Sequence, residues 1–225
     1  MQPVSICNLC ESNNVSHYHS DKRRDYWQCS QCDLVFVGAH QHISAAQEKA
    51  IYDTHENALE DLGYRHFLSR VSEPLLPRLK PTSNGLDFGC GPGPLLAKMF
   101  TEAGHNMAVY DLYYANDMSV FNDAYDFITC TEVIEHLAHP QQILTQLFTL
   151  LKSGAPLTIM TKLVIDVDRF ANWHYKNDMT HISFFSRKTF KYIAAHYRCE
   201  LEFIGSDVII LTKPIAPKAL SEEIL

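Results

Sequence analysis

Three glycines at alternate positions, Gly89, Gly91 and Gly93, stand between an apolar strand and an apolar helix, and they restrict the fold more than any other feature of the chain. Leu86-Asp87-Phe88-Gly89 reads as the end of a strand. Cys90-Gly91-Pro92-Gly93-Pro94 reads as a turn, and Leu95 to Phe100 as a helix. Glycines there let backbone come close to a ligand, and the free N–H groups of a helix start face it. Ala108-Val109-Tyr110-Asp111 then ends a second strand with an acid, twenty residues after Gly91. An acid so placed can accept hydrogen bonds from both hydroxyls of a ribose. Strand, glycine turn, helix, strand and acid together predict an α/β nucleotide-binding unit. The dinucleotide fingerprint G-x-G-x-x-G/A is not met, because its third small position falls on Pro94.

The cysteines supply the second constraint. Four of the seven lie early, as Cys7-x-x-Cys10 and Cys29-x-x-Cys32, with eighteen residues between the pairs. Paired knuckles at this spacing present four thiolates to one ion and close a tetrahedral shell, which predicts a structural zinc ribbon over residues 1–40. So short a piece has little core of its own, and bound zinc would supply its folding energy. His17-Tyr18-His19, Asp25 to Gln28 and Leu34 to Val37 read as its strands. His17 and His19 read as bystanders, since four cysteines suffice. The bland alternative is two redox pairs or unpaired core cysteines. Lys22-Arg23-Arg24 reads as a solvated turn, because residues 1–40 hold three basic and four acidic side chains.

The whole chain carries 19 Lys+Arg against 26 Asp+Glu, a formal charge of −7, which argues against a nucleic-acid partner. No apolar run approaches the ~20 residues of a membrane span. The amino terminus lacks a basic region followed by an apolar stretch, so the expected compartment is the cytoplasm. Residues 41–84 read as a helical connector, with Leu59, Leu62, Phe67, Leu68, Val71 and Leu75 on one face and breaks at Pro74 and Pro77. Pro81 to Gly85 is a turn cluster that ends it.

Asp87-x-Gly89-x-Gly91-x-Gly93 resembles motif I of the class I S-adenosylmethionine-dependent methyltransferases, [D/E]-x-G-x-G-x-G, and Asp111 resembles the ribose acid of that family. Tyr125 to Cys130 is similar to the family's fourth strand, and Thr131 to Pro140 to the loop and helix start after it. Pro156 to Met160 is similar to the fifth strand, and Leu201–Ile204 with Val208–Leu211 to the closing pair. The match spans about residues 85–212 and is most similar to small-molecule methylases of the polyprenyl-benzoquinol type. The resemblance implies a Rossmann-like mixed sheet of seven strands with helices on both faces, preceded by the ribbon. It divides the chain into a ribbon (1–40), a connector (41–84), a methyltransferase domain (85–215) and a tail (216–225). It implies S-adenosylmethionine held by Asp87, Gly89, Cys90, Gly91, Gly93, Asp111, Leu112, Cys130, Thr131 and Glu132. One departure stands out: only fifteen positions separate Asp111 from Asp126, where the family usually places a helix, a third strand and an adenine-contacting acid. Asp117 or Asp123 could take that acid's place, and Tyr113, Tyr114 and Met118 could form an apolar wall instead.

After the fifth strand, Asp168 to His181 is dense in aromatic and polar side chains, and Ser186 suits the cap of a helix from Arg187 to His196. In the resembling family this stretch overlies cofactor and substrate. That implies Trp173, Tyr175, Asp178 and His181 as substrate contacts, His181 as general base and Glu132 as the second choice for that role. Each has a plain reading beside it: a structural histidine, a core aromatic, a lid residue. His136 reads as fixing a helix start. The expected reaction is methyl transfer from S-adenosylmethionine to a small-molecule oxygen, nitrogen or carbon. The rivals are an RNA methyltransferase gripping its substrate with the ribbon, and a non-catalytic interaction module with a relict cofactor site. Removal of zinc is expected to loosen residues 1–40 and leave the main domain folded.

Overall fold

The computed structural model describes residues 6–54 and 59–215. The expected tail, 216–225, lies outside them. The two CxxC segments fold alike. Glu11 N donates to the Cys7 carbonyl at 3.0 Å, and Asp33 N to the Cys29 carbonyl at 2.8 Å. The residue after each second cysteine, Glu11 (φ 57°) and Asp33 (φ 64°), takes the left-handed conformation that closes the knuckle. Between and after the knuckles run β1 (Val15–Ser20), β2 (Asp25–Cys29) and β3 (Val35–Val37), all antiparallel.

The connector holds α1 (Ala45–Tyr52), opened by a reciprocal Ser44–Gln47 capping box, and α2 (Leu62–Leu75), opened by Asp61. Leu68, Val71 and Leu75 of the expected apolar face are buried, whereas Leu62 in the first turn is exposed. Pro74 falls in the last turn of α2, and Pro77 in the short 3-10 turn after it.

The main domain then alternates β4 (Asn84–Phe88), α3 (Leu95–Glu102), β5 (Asn106–Tyr110), β6 (Phe127–Thr131), α4 (Pro140–Leu150) and β7 (Pro156–Met160). It continues through α5 (Val167–Ala171), β8 (Ser183–Phe184), α6 (Arg187–Tyr197), β9 (Glu200–Ile204) and β10 (Val208–Thr212). The central sheet has the order β5-β4-β6-β7-β10-β9. Its first four strands are parallel, and β10 runs antiparallel to both neighbours. Six strands form it among the described residues, one fewer than the expected seven. Between Asp111 and Asp126 the chain makes the Asp111–Ala115 bridge, a 3-10 turn, Met118–Asn122, and a bridge from Tyr125 to Leu151, which leaves no room for a helix and a further strand.

Helices cover both faces of this sheet, as strand alternation requires. Phe127, Met160 and Val208 point into one apolar cluster with Leu68, Val71, Leu95 and Phe100 of α2 and α3. Their neighbours Ile128, Ile159 and Ile209 point the other way, toward Leu144, Leu147, Phe190 and Ile193 of α4 and α6. The second cluster runs on without a break into Cys7, Leu9, Trp27, Leu34 and Phe36 of the ribbon. The short β8 extends the ribbon sheet, pairing Phe184 with Val35 and Ser183 with Phe36. The ribbon and the main domain therefore share a core. β4 lies between β5 and β6, where the strand order reverses, and ligands of open α/β sheets sit beyond the carboxyl ends of the strands at such a point.

Candidate functional site

Beyond the ends of β4, β5 and β6 lies a cavity of about 610 Å³, within the range of small-molecule sites. Its floor is the turn Gly89-Cys90-Gly91-Pro92. Gly89 (φ 78°) and Gly91 (φ 64°) use the left-handed region. A Cβ on Gly89 would lie 2.2 Å from Val133 Cγ2, so only glycine fits this crossing. The Gly89 and Cys90 amides donate to the Tyr110 carbonyl at 2.7 and 3.1 Å, which ties the turn to β5. Asp111 ends β5 on the cavity wall. Its Oδ2 accepts from Gly91 N at 3.0 Å, and its Oδ1 from Tyr113 N and Tyr114 N at 2.8 and 3.1 Å. The carboxylate is thus fixed in direction beside the glycine turn.

Leu112, Thr131, Glu132, Asp178 and His181 also line the cavity, with Gly89, Cys90, Gly91 and Asp111. The structure does not bring Asp87, Gly93 or Cys130 onto the wall. Asp87 is buried beneath the turn, accepting from Thr129 Oγ1 at 2.7 Å. Burial pushes its carboxyl up to about 6, opposed by that hydroxyl and the Ala97 amide. Gly93 is buried at the entry to α3, where its carbonyl accepts from Leu95 N at 2.7 Å. Cys130 is buried inside β6. Burial raises the Cys90 thiol to about 12 and the Cys130 thiol well above its ordinary value, so both stay neutral.

The shortened segment after Asp111 is met by the connector. Tyr113 and Tyr114 line the cavity, whereas Met118 is exposed off the wall and Asp117 caps the 3-10 turn through Ser119 N. Neither Asp117 nor Asp123 reaches the wall. Glu48 and Tyr52 of α1 and Tyr64 and Phe67 of α2 complete that side. Tyr113 donates to Glu48 Oε2 at 2.7 Å, Tyr52 to Glu48 Oε1 at 3.1 Å and Tyr114 to Asp53 Oδ1 at 2.7 Å. These wall residues carry no motif; only their spacing within a polar helix, Glu48 and Tyr52 four apart, marks them.

Next to this side the lining gathers acids and imidazoles, Tyr52 meeting them with its ring 5.3 Å from that of His136. Glu132 (φ 51°) follows β6. Its Oε2 accepts from the Tyr175 hydroxyl at 3.1 Å, and that hydroxyl also lies 3.2 Å from Thr161 Oγ1. Tyr175 makes its shortest bond to Glu135, which is fully buried. Burial, reinforced by the nearby Glu132, pushes the Glu135 carboxyl up to about 8, so it holds a proton at neutral pH. Burial also raises Glu132. Burial lowers the His181 pKa against the pull of Asp178, which favours the neutral ring. His181 Nδ1 lies 2.7 Å from the Tyr175 carbonyl and therefore carries its proton there, leaving the lone pair on Nε2. His136, read from sequence as a helix-start residue, lies on the wall with its ring 4.7 Å from that of His181. The structure places Tyr175 beneath the wall and Trp173 against it, ring centroids 5.0 Å apart, packed toward Phe170 and Phe184 rather than into the cavity. Within the ribbon, Cys7, Cys10, Cys29 and Cys32 come together with all Sγ atoms inside 4.8 Å.

Residues 60–202 match the family described as methyltransferase domain. The chain belongs to the S-adenosylmethionine-dependent methyltransferases. No curated protein matches this methyltransferase in sequence. Among solved structures it is similar to the 1,6-didemethyltoxoflavin N1-methyltransferase of Burkholderia thailandensis, with bound 1,6-didemethyltoxoflavin and S-adenosylhomocysteine. Identity is 13%, over 89% of this chain and 100% of that one, with a TM-score of 0.51. It is also similar to the magnesium protoporphyrin IX methyltransferase of Synechocystis PCC 6803, with bound S-adenosylmethionine, at 13% identity over 76% of this chain and 92% of that one, TM-score 0.50. These likenesses establish the fold. Among the described residues, no helix is long and apolar enough to cross a membrane.

Proposed function

We propose that this methyltransferase moves the methyl group of S-adenosylmethionine to an oxygen, nitrogen or carbon of a small-molecule acceptor. One observation carries the reading: a single cavity is lined both by the glycine turn and Asp111 and by Glu132, Asp178 and His181. The Gly89–Pro92 turn and Asp111 would hold the cofactor, with Asp111 on the ribose. The cofactor supplies an electrophilic sulfonium methyl, which is displaced in line. Alignment of the two reactants can contribute ~7–11 kcal/mol to such a step. His181, whose Nε2 carries the lone pair, would take the acceptor's proton, and Glu132 is the second candidate. The aromatic wall of Tyr52, Tyr64, Phe67 and Tyr113 suits an apolar or planar acceptor. A similarity to polyprenyl-benzoquinol methylases rests on sequence motifs alone. Titration calorimetry with S-adenosylhomocysteine, with NADH as control, tests the cofactor. Micromolar binding of the first alone supports the reading, and binding of neither returns weight to an interaction module.

The four ribbon cysteines would hold a structural zinc. Cys7 and Cys32 Sγ lie 3.5 Å apart, as do Cys10 and Cys29 Sγ. Tetrahedral Zn–S bonds of ~2.3 Å require sulfur separations of about 3.8 Å, so the set fits the ion with small adjustment. With four protein ligands the shell is closed and has no catalytic position.

A second reading of the acceptor side has a specific observation in its favour. Glu135, His136 and His181 offer ligand atoms within 4.8 Å of one another, and Glu135 Oε2 is buried with no hydrogen-bond partner. With the Glu135 proton displaced, one carboxylate and two imidazoles suit a divalent cation that would polarise an acceptor hydroxyl. Titration with Mn²⁺ followed by electron paramagnetic resonance tests it. Stoichiometric binding that Glu135→Gln abolishes supports the cation, and no binding leaves His181 as base.

A further inference from the structure

The triplet Lys22-Arg23-Arg24 reads from sequence as a solvated turn, yet Arg24 is only 2% exposed. An arginine is almost never buried unless it is paired, and here both terminal nitrogens are met although Nε is not. Here Nη1 donates to the carbonyls of Met179 and His181 at 3.1 and 2.9 Å, and Nη2 to those of Lys176 and Asp178 at 2.5 and 2.9 Å. All four carbonyls belong to one segment: Lys176 ends in the short 3-10 turn His174–Asn177, and Asp178, Met179 and His181 follow in irregular chain with no sheet ladder to satisfy them. A planar guanidinium that never loses its charge suits this task, and a lysine would not span the four acceptors.

The same segment is held again. Lys176 Nζ pairs with Asp21 Oδ2 at 2.9 Å, with the lysine side chain 5% exposed. Asp21 Oδ1 in turn accepts from the amides of Arg23 and Arg24 at 2.8 and 2.9 Å, and Tyr26 donates to its Oδ2 at 2.9 Å. Arg24 thus sits in the β1–β2 turn of the ribbon. β2 runs from there directly to Cys29 of the four-cysteine cluster. At the other end, the gripped segment carries Asp178 and His181 onto the cavity wall. Its closure, His181 Nδ1 on the Tyr175 carbonyl, encloses the stretch from Lys176 to His181 that Arg24 holds.

We propose that Arg24 is a positioning residue: through it the cysteine ribbon holds the segment from Tyr175 to His181 in the geometry that fixes the His181 tautomer toward the cavity. The inference rests on reading this cavity as the methyl-transfer site. It gives the ribbon a role within its own chain. Arg24 touches no reacting atom and acts through the backbone that bears His181.

The test uses the full chain and needs no acceptor. Arg24→Gln and Arg24→Lys are compared with the native protein by imidazole ¹⁵N shifts of His181, backbone hydrogen exchange, and S-adenosylhomocysteine titration. Native His181 should show one tautomer, protonated on Nδ1. Arg24→Gln should show a mixture, with exchange at 176–182 faster by ~10-fold or more, and Arg24→Lys should fall between. Cofactor affinity should stay within about threefold, since Asp111 and the glycine turn are untouched. A folded Arg24→Gln with a native His181 signature and native exchange at 176–182 overturns the proposal. So does a uniform loss of stability with that signature intact. If Arg24→Gln does not fold, Arg24→Lys is read by the same signals. Absence of S-adenosylhomocysteine binding in the native protein would instead count against the methyl-transfer reading, while the tautomer and exchange results still judge the strut.

Discussion

Gly89 and Asp87 lie two residues apart and answer to different physics. Gly89 is fixed by geometry: its φ of 78° and the 2.2 Å approach of Val133 to a built Cβ exclude any side chain. Gly89→Ala is expected to cost about 2 kcal/mol and to abolish S-adenosylhomocysteine binding, as measured by urea unfolding and calorimetry. Adding Val133→Ala should recover part of the stability without binding, because it removes the overlap and leaves the wrong φ. Asp87 is fixed by solvation. Burial holds its carboxyl near 6, above the ordinary 3.8. Between these values the folded chain keeps a proton that the unfolded chain has released, so stability falls as pH rises. The Asp87 contribution is fully present below pH ~4 and is lost as pH rises through 6, by up to about 3 kcal/mol. Urea midpoints at pH 4.5 and 7 should differ in this sense more for the native chain than for Asp87→Asn. An equal difference would mean that other groups set the pH dependence.

α6 shows how one terminus serves two purposes. Ser186 Oγ accepts from Thr189 N at 3.1 Å as the helix cap, and donates to Asp33 Oδ2 of the ribbon at 2.6 Å. Ser186→Ala should cost about 1 kcal/mol through the cap, and Asp33→Asn should couple with it in a double-mutant cycle because the two share a bond. Sequence reveals the cap, since a serine before a helical run announces itself, but it says nothing of Asp33, 153 positions away. The same divide runs through the site. The glycine turn, Asp111, the CxxC knuckles and the long apolar strands are legible because local geometry demands those residue types at those spacings. The two-residue β8 is not, being too short to carry a period. Nor is the use of Glu48 and Tyr52, because a polar helix gives no sign of what it is laid over. Arg24 reads as one charge among three until the carbonyls it meets are known. The seventh strand follows from resemblance alone, and the fifteen residues after Asp111 cannot hold it.

Taken as one body, the chain does not divide where its motifs do. Cys7, Cys29 and Cys32 belong to the apolar cluster that also contains Leu86, Ile128 and Ile159 of the central sheet. β8 hydrogen-bonds to β3, and Arg24 and Lys176 cross the same junction. A boundary near residue 40 is thus a boundary of sequence, with packing running across it. The expectation that metal removal loosens only residues 1–40 treats the ribbon as a separate unit, and a shared core changes that outcome. Stripping the proposed zinc from the four cysteines with a strong chelator should lower the thermal midpoint of the whole chain, in one transition, by more than the few degrees per kcal/mol that a single surface change gives at this size. Near-ultraviolet signals from Trp27 and Trp173 should then melt together with the far-ultraviolet helix signal. A helix transition left in place after Trp27 has lost its fixed environment would show that the shared core does not couple the two parts, and that the ribbon folds on its own account.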